Sequence, residues 1–155
     1  MTKPMTELDS VPLFAALSHT QRAAIAGVSR VVTYPPETRL FDEGGLADRC
    51  WVVVSGCIVV DAVAPGSGRD RVGVQSIGPG ELVGWSWLVP PYRWHFGATV
   101  VSPTRAVVVD TAALRDLADE DPSFGYQLAL ILIDALLNRL QATRIRMLDL
   151  SRNPL

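Results

Sequence analysis

Apolar residues change their spacing twice along the chain. From 31 to 110 they come in brief β-branched runs: Trp51-Val-Val-Val, Cys57-Ile-Val-Val, Val72-Gly-Val, Ala98-Thr-Val-Val and Ala106-Val-Val-Val. Turn-forming residues bracket these runs, at Pro35-Pro36, Gly44-Gly45, Ser55-Gly56, Pro65-Gly66-Ser67-Gly68, Gly78-Pro79-Gly80, Pro90-Pro91 and Ser102-Pro103. Many short strands at near-regular spacing predict an all-β barrel or sandwich. Ahead of it, Val11-Pro12-Leu13-Phe14 reads as a turn, and Ser18 or Thr20 caps a short helix over 21–26.

After Asp110 the period becomes helical. Thr111-Ala-Ala-Leu-Arg-Asp-Leu predicts a short helix capped by Thr111 or Asp110. Asp121-Pro122-Ser123 closes that helix and opens another, with Pro in its favoured first turn. This last helix extends over about 123–150. Leu130, Ile133, Leu137, Leu140, Arg144 and Met147 follow a 3-4-3-4-3 spacing, a coiled-coil-like seam interrupted by one Arg. Leu132, Leu136 and Thr143 add a flanking stripe. A helix apolar on more than one face needs cover from two sides. At 1.5 Å per residue it reaches about 40 Å, beyond a small barrel, so a second copy of the chain is the expected cover.

Composition narrows the class. With 155 residues, 48% hydrophobic and only 19% charged, the chain is globular and builds one domain. Its parts are an N-terminal helical segment (1–30), a β region (31–110) holding a distinctive stretch at 80–100, and C-terminal helices (111–155). A net charge of −2 leaves no basic footprint for nucleic acid. The longest apolar run, 128–133, is far below the roughly 20 residues of a membrane span. The N-terminus, with Lys3, Glu7 and Asp9, has no apolar signal-peptide core. Cys50 and Cys57 lack CxxC or zinc spacing and are expected as reduced thiols in a cytoplasmic protein. His19 and His95 are too few for a cupin-type metal centre, and no GxSxG, paired-acid or Walker pattern appears. Neither catalysis nor a metal is expected.

Candidate chemistry concentrates in GELVGWSWLVPPYRWHFGATVVSP (80–103), which holds three of the four tryptophans and one of the two histidines. Its flanks carry a resemblance. Leu13-Phe14-Ala-Ala-Leu17 looks like an opening helical segment. Leu40-Phe41-Asp-Glu-Gly44-Gly45-Leu-Ala47-Asp48 with Val54-Ser55-Gly56 matches a turn-rich stretch before a third strand. Gly78-Pro-Gly80-Glu-Leu-Val-Gly84 matches glycines that lead into a phosphate-binding cassette, and Arg139-Leu140-Gln141-Ala142-Thr143 is similar to a dimer helix. In this order, from about 12 to 150, they resemble the cyclic nucleotide-binding domain of the Crp/Fnr superfamily. The resemblance implies a mainly β fold with flanking α. It would be a double-stranded β-helix (a jelly-roll-like β-roll), then a short helix and a long C-terminal dimerisation helix. It further implies a non-catalytic, homodimeric regulator. The superfamily's helix-turn-helix would follow the dimer helix and the sequence ends at Leu155, so DNA is not an expected partner.

The cassette departs from the family. There, helix N-terminal N–H groups and an Arg hold the cyclic phosphate, and a Glu accepts the ribose hydroxyl. The resemblance puts Trp85 at the Glu position and Phe96 at the Arg position, two residues before Ala98. Cyclic AMP and cyclic GMP are therefore not expected as tight ligands, and no cofactor is expected. Two readings stay open. In one, Trp85, Trp87, Trp94 and Phe96 plug the pocket, burying roughly 150–250 Å² each. In the other, the pocket is rebuilt for a flat, apolar ligand with one anionic or carbonyl group. Arg93 would then be the donor, Ser86 and the N–H groups after Gly84 the anion nest, and His95 an adjustable donor, with Gly97, Ala98 and Thr99 completing the cassette. Stacking of Arg93 on Tyr92 or Trp94 is a structural use of the same residues. Thr143 falls where the family presents a Thr to the base. Arg144, next to it, either reaches a pocket across a dimer or turns to solvent towards Asp134 or Asp149. The function expected is a sensory or regulatory domain that moves its long helix and hence an unknown protein partner. The alternatives are a ligand-free interaction subunit and a cyclic AMP-binding regulator.

Overall fold

Two long strands rich in Val carry the fold. In the computed structural model, which describes residues 4–152 apart from 67 and 69, they are β3 (Arg49–Val63) and β6 (Gly97–Asp110). Lys3, Ser67 and the end of the 111–155 segment lie outside the described residues. The strands pair antiparallel from Arg49↔Asp110 to Asp61↔Gly97. Shorter strands then join at different ends: β5 (Leu82–Val83) meets Trp51 and Val52 of β3, while β4 (Arg71–Ile77) meets its 58–63 half. Likewise β2 (Arg39–Phe41) pairs the start of β6, and β1 (Ser29–Tyr34) pairs its 104–109 half. This exchange of partners along one bent ribbon makes the six-stranded antiparallel sheet a jelly-roll-like roll, the expected fold class. Its interior is the Val-rich middle of both strands, with Trp51, Val52, Val53, Val107 and Val109 almost wholly buried.

Two expected turns are not turns. Ser55-Gly56 and Ser102-Pro103 lie inside β3 and β6, facing each other where the register slips between Val53 and Cys57. Turn residues serve equally well in a bulge, which opens the ladder and in some types takes a left-handed Gly. Gly56 has φ 100°, and Pro103, lacking an N–H, sits where the ladder is broken. The buried Thr104 hydroxyl accepts from the Cys57 N–H at 3.1 Å and donates to the Ser102 carbonyl at 2.8 Å, replacing the lost ladder bonds. A Cβ on Gly56 would overlap Thr104 Oγ1 and stand 2.5 Å from the Pro103 carbonyl oxygen. Gly56→Ala is therefore expected to cost about 2–4 kcal/mol, from left-handed backbone strain plus overpacking. Denaturant melts check this: the midpoint should fall at unchanged slope, and an unmoved midpoint would mean that the bulge relaxes freely.

Helices close the roll at both ends of the chain. Ser18 and Gln21 form a reciprocal capping box that starts α2 (His19–Gly27). Before it, α1 (Pro4–Ser10) buries Leu8, and Glu7 Oε1 accepts from Arg105 Nη2 at 2.5 Å, tying the N-terminal segment to β6. Val11-Pro12-Leu13-Phe14 forms a 3-10 turn at Pro12–Phe14. Asp110 caps α3 (Thr111–Glu120) by accepting from the Ala113 N–H. Pro122 opens α4, which runs Pro122–Arg152. Phe124, Leu128 and Leu132, one turn apart, are its buried contacts. No helix among the described residues is long and apolar enough to cross a membrane.

Candidate functional site

After β5 the chain cannot continue as strand, because Gly84 takes φ 98° and Trp94 packs where a side chain would stand, 3.0 Å from an added Cβ. A 3-10 turn, Ser86–Leu88, follows and buries Trp87, whose Nε1–H donates to the Gly84 carbonyl at 2.8 Å. Helix α3 fixes this turn: Arg115 Nη1 donates to the Trp87 carbonyl at 2.6 Å, and its guanidinium lies 4.3 Å from the Tyr92 ring centre. Trp94 then turns inward. It stacks on Phe41 at 3.9 Å between centroids and is tilted against Trp51 at 6.1 Å. Backbone bonds from Trp94 to Gly45 and from Gly44 to Trp94 lock it to the 44–45 turn.

Between this segment and α4 lies a cavity of ≈ 390 Å³. It brings together Gly84, Trp85, Ser86, His95 and Phe96 of the expected set. Phe41 and Trp94 contribute from the roll, and Leu136 and Arg139 from α4. Ser86 Oγ and His95 Nδ1 share a hydrogen bond of 3.1 Å. The Trp85 indole N–H is buried and has no partner among the described residues. Above that ring, at 5.7 Å from its centre, sits the Arg139 guanidinium. Arg139 Nη2 donates to the Leu82 carbonyl at 3.1 Å and stands 3.6 Å from Glu81 Oε2. Burial lowers the Arg139 pKa from its ordinary value, and Glu81 offsets part of that.

The other expected residues lie elsewhere. Arg93 is exposed, donates weakly to the Gly44 carbonyl at 3.5 Å and bridges to Leu46; it does not line the cavity, and the Tyr92 ring carries the Arg115 guanidinium instead. Gly97 and Ala98 are buried at the start of β6, and the space beside Gly97 is taken by Arg39. That guanidinium donates to both oxygens of the buried Asp61, at 2.5 and 3.1 Å, and to Thr99 Oγ1 at 2.9 Å. The Asp61 bond holds its pKa above the ordinary value, so this is a structural clamp on β2, β3 and β6. Thr143 donates to the Arg139 carbonyl and lines a separate groove beside Val74. Arg144 turns to solvent, and neither Asp134 nor Asp149 pairs with it among the described residues. Phe96, a plug in one of the two open readings, is 46% exposed, whereas Trp94 and Trp87 are the buried members.

Sequence reasoning missed Arg139 as a site residue. The signal was available: it continues the Leu132, Leu136 stripe by three residues, an Arg on an apolar face. Neither cysteine is paired, and burial pushes the Cys50 thiol well above its ordinary value, which leaves it unreactive. Among the described residues, no group of three or more His, Cys, Asp or Glu side chains could hold a metal ion.

The comparisons with known proteins agree with this fold. The CRP-like cAMP-activated global transcriptional regulator of Mycobacterium tuberculosis is 28% identical over 138 residues, covering 89% of this chain and 59% of the relative. The chain thus spans under two thirds of that regulator's length. The N-terminal domain of a transcriptional regulator from Streptomyces coelicolor is 27% identical, with a TM-score of 0.64 over 88% of this chain and 94% of its own. Two further structures share the fold. They are a cyclic nucleotide-binding domain from Methylobacillus flagellatus (18% identity, TM-score 0.78, 95% and 82% covered) and the catabolite activator protein of Thermus thermophilus (23%, 0.69, 90% and 63%). Residues 31–121, the roll, its cassette and α3, match the model of the cyclic nucleotide-binding domain, and the chain belongs to that family.

Proposed function

We propose that the protein is a non-catalytic sensory module in which a small molecule other than a cyclic nucleotide occupies the cassette and acts on α4, the helix of a homodimer. One observation carries this reading: the same cavity is lined by the cassette, through Trp85 and Phe96, and by α4, through Leu136 and Arg139. A ligand there has different contacts in each position of the helix, which is what a shift of population requires. Similarity to regulators supports the regulatory role. A second copy is favoured by the exposed seam of α4, and a responding protein partner, with both in the cytoplasm, completes the proposal. DNA gains no support from a net charge of −2.

Cyclic nucleotides fit this cavity poorly. The two charged contacts replaced by Trp85 and Phe96 are each worth roughly 1.5–3 kcal/mol, or about 3–6 together. At about 1.4 kcal/mol per tenfold, a micromolar ligand weakens towards millimolar. Calorimetry with cyclic AMP and cyclic GMP is expected to give no saturation in the micromolar range. A dissociation constant of a few micromolar or tighter would overturn the reading in favour of a cyclic AMP-binding regulator. The other reading, a ligand-free interaction subunit, is favoured by the exposed apolar tip of the cassette, where Val89 and Leu46 face solvent.

A further inference from the structure

We propose that the cavity between cassette and α4 binds a small aromatic carboxylate, with the Trp85 indole N–H and the Arg139 guanidinium as its two donors. This rests on the sensor reading above and names the ligand class for the same site.

Charge comes first. Arg139 lines the cavity and no Asp or Glu does among the described residues, so the lining favours an anion. Both polar contacts of Arg139 use Nη2, which leaves Nε and Nη1 without a hydrogen-bond partner among the described residues. A guanidinium has five N–H donors in a fixed fork that matches a carboxylate. Its carboxylate neighbour, Glu81, stands at 3.6 Å and already accepts from the Gly78 N–H, so it is shared and half exposed. The buried Trp85 N–H adds a second unmade bond, and buried donors without partners are rare in folded proteins. Arg139 lies over the Trp85 ring, and both side chains line the same cavity.

The body of the ligand follows from the walls. Phe41, Val60, Trp94, Phe96 and Leu136 offer apolar surface, much of it flat. Polar edges of a base and a ribose would find few partners there, and unpaired polar groups lose affinity on burial. A volume of ≈ 390 Å³ lies near the lower end of small-molecule pockets, roughly 300–1,000 Å³. One guanidinium with neutral donors suits a monoanion. A ring bearing one carboxylate meets all of these demands.

The test uses the full chain and four probes: phenylacetate, indole-3-acetate, phenylacetamide and cyclic AMP, each titrated by calorimetry. Saturable binding of at least one of the two acids is expected, with phenylacetamide at least tenfold weaker than phenylacetate. Trp85→Phe keeps an aromatic side chain but removes the N–H together with the five-membered ring; it should weaken the acid about tenfold or more while leaving circular dichroism unchanged. Arg139→Gln should weaken it more, and Arg139→Lys should recover part. No binding of either acid at millimolar concentration overturns the carboxylate assignment, as does an amide that binds equally well or a Trp85→Phe protein that binds unchanged. With cyclic AMP also silent, the sensor reading stands without this ligand class. Low-micromolar binding of cyclic AMP removes both.

Discussion

Replacing Ile133 or Leu137 by Glu is expected to halve the mass of the protein in solution. Light scattering at tens of micromolar should give a dimer for the parent chain and a monomer for either variant, both still folded. The reason lies in which face of α4 the roll uses. Phe124, Leu128 and Leu132 are buried against it, and Leu136 and Arg139 continue that side past the cavity. The seam of Leu130, Ile133, Leu137, Leu140 and Met147 points away, each side chain between 45% and 62% exposed. Five large apolar residues in register on one face of a free helix are unusual for a monomer. A helix of 31 residues extends about 46 Å, enough for two copies to bury the roughly 1,600 Å² of a typical stable interface. A carboxylate in that seam would be buried without a partner, a cost of several kcal/mol per copy. Arg144, at the seam without an ion pair among the described residues, opposes the dimer when two copies meet in parallel, so Arg144→Leu should tighten it. A monomeric mass for the parent chain removes the dimer from the proposed function.

The sequence announced this helix well because its start and its seam are local signals. Pro122 marks the N-terminus by backbone geometry alone, and the 3-4 spacing of the seam needs no tertiary information. The caps were narrowed to two residues each for the same reason, Ser18 or Thr20 and Thr111 or Asp110, and the structure uses Ser18 and Asp110. Long-range matters were not legible. Nothing in Ser55-Gly56 or Ser102-Pro103 says whether the chain reverses or bulges; that depends on the two segments facing each other across the ladder. Nor does α4 show, by itself, which stripe meets the roll. Leu132, Leu136 and Arg139 turn out to be the inner stripe, so the Arg that meets the cassette comes from the helix, and Arg93 beside the aromatics faces solvent.

The division of labour among the aromatics leads to the second large effect, the loss of Trp94. Trp94→Ala is expected to destabilise the protein by about 3–5 kcal/mol, the range for a large buried aromatic. Trp94 is 6% exposed, stacked on Phe41 and tilted against Trp51, with Gly84 backbone under its ring. Truncation would open a void under the cassette that three neighbours cannot fill without leaving their own rotamers. Phe96→Ala removes a side chain that is half in solvent and should cost about 1 kcal/mol or less. The pair separates a plugged cassette from an open one. If Phe96→Ala costs as much as Trp94→Ala in matched denaturant melts, both rings are core, the cavity closes in solution and no ligand enters. If only Trp94→Ala shifts the midpoint, Trp94 is the floor on which the cavity rests. The mobile wall is then Trp85 and Phe96 with α4 above them, and ligand binding can be read separately from folding.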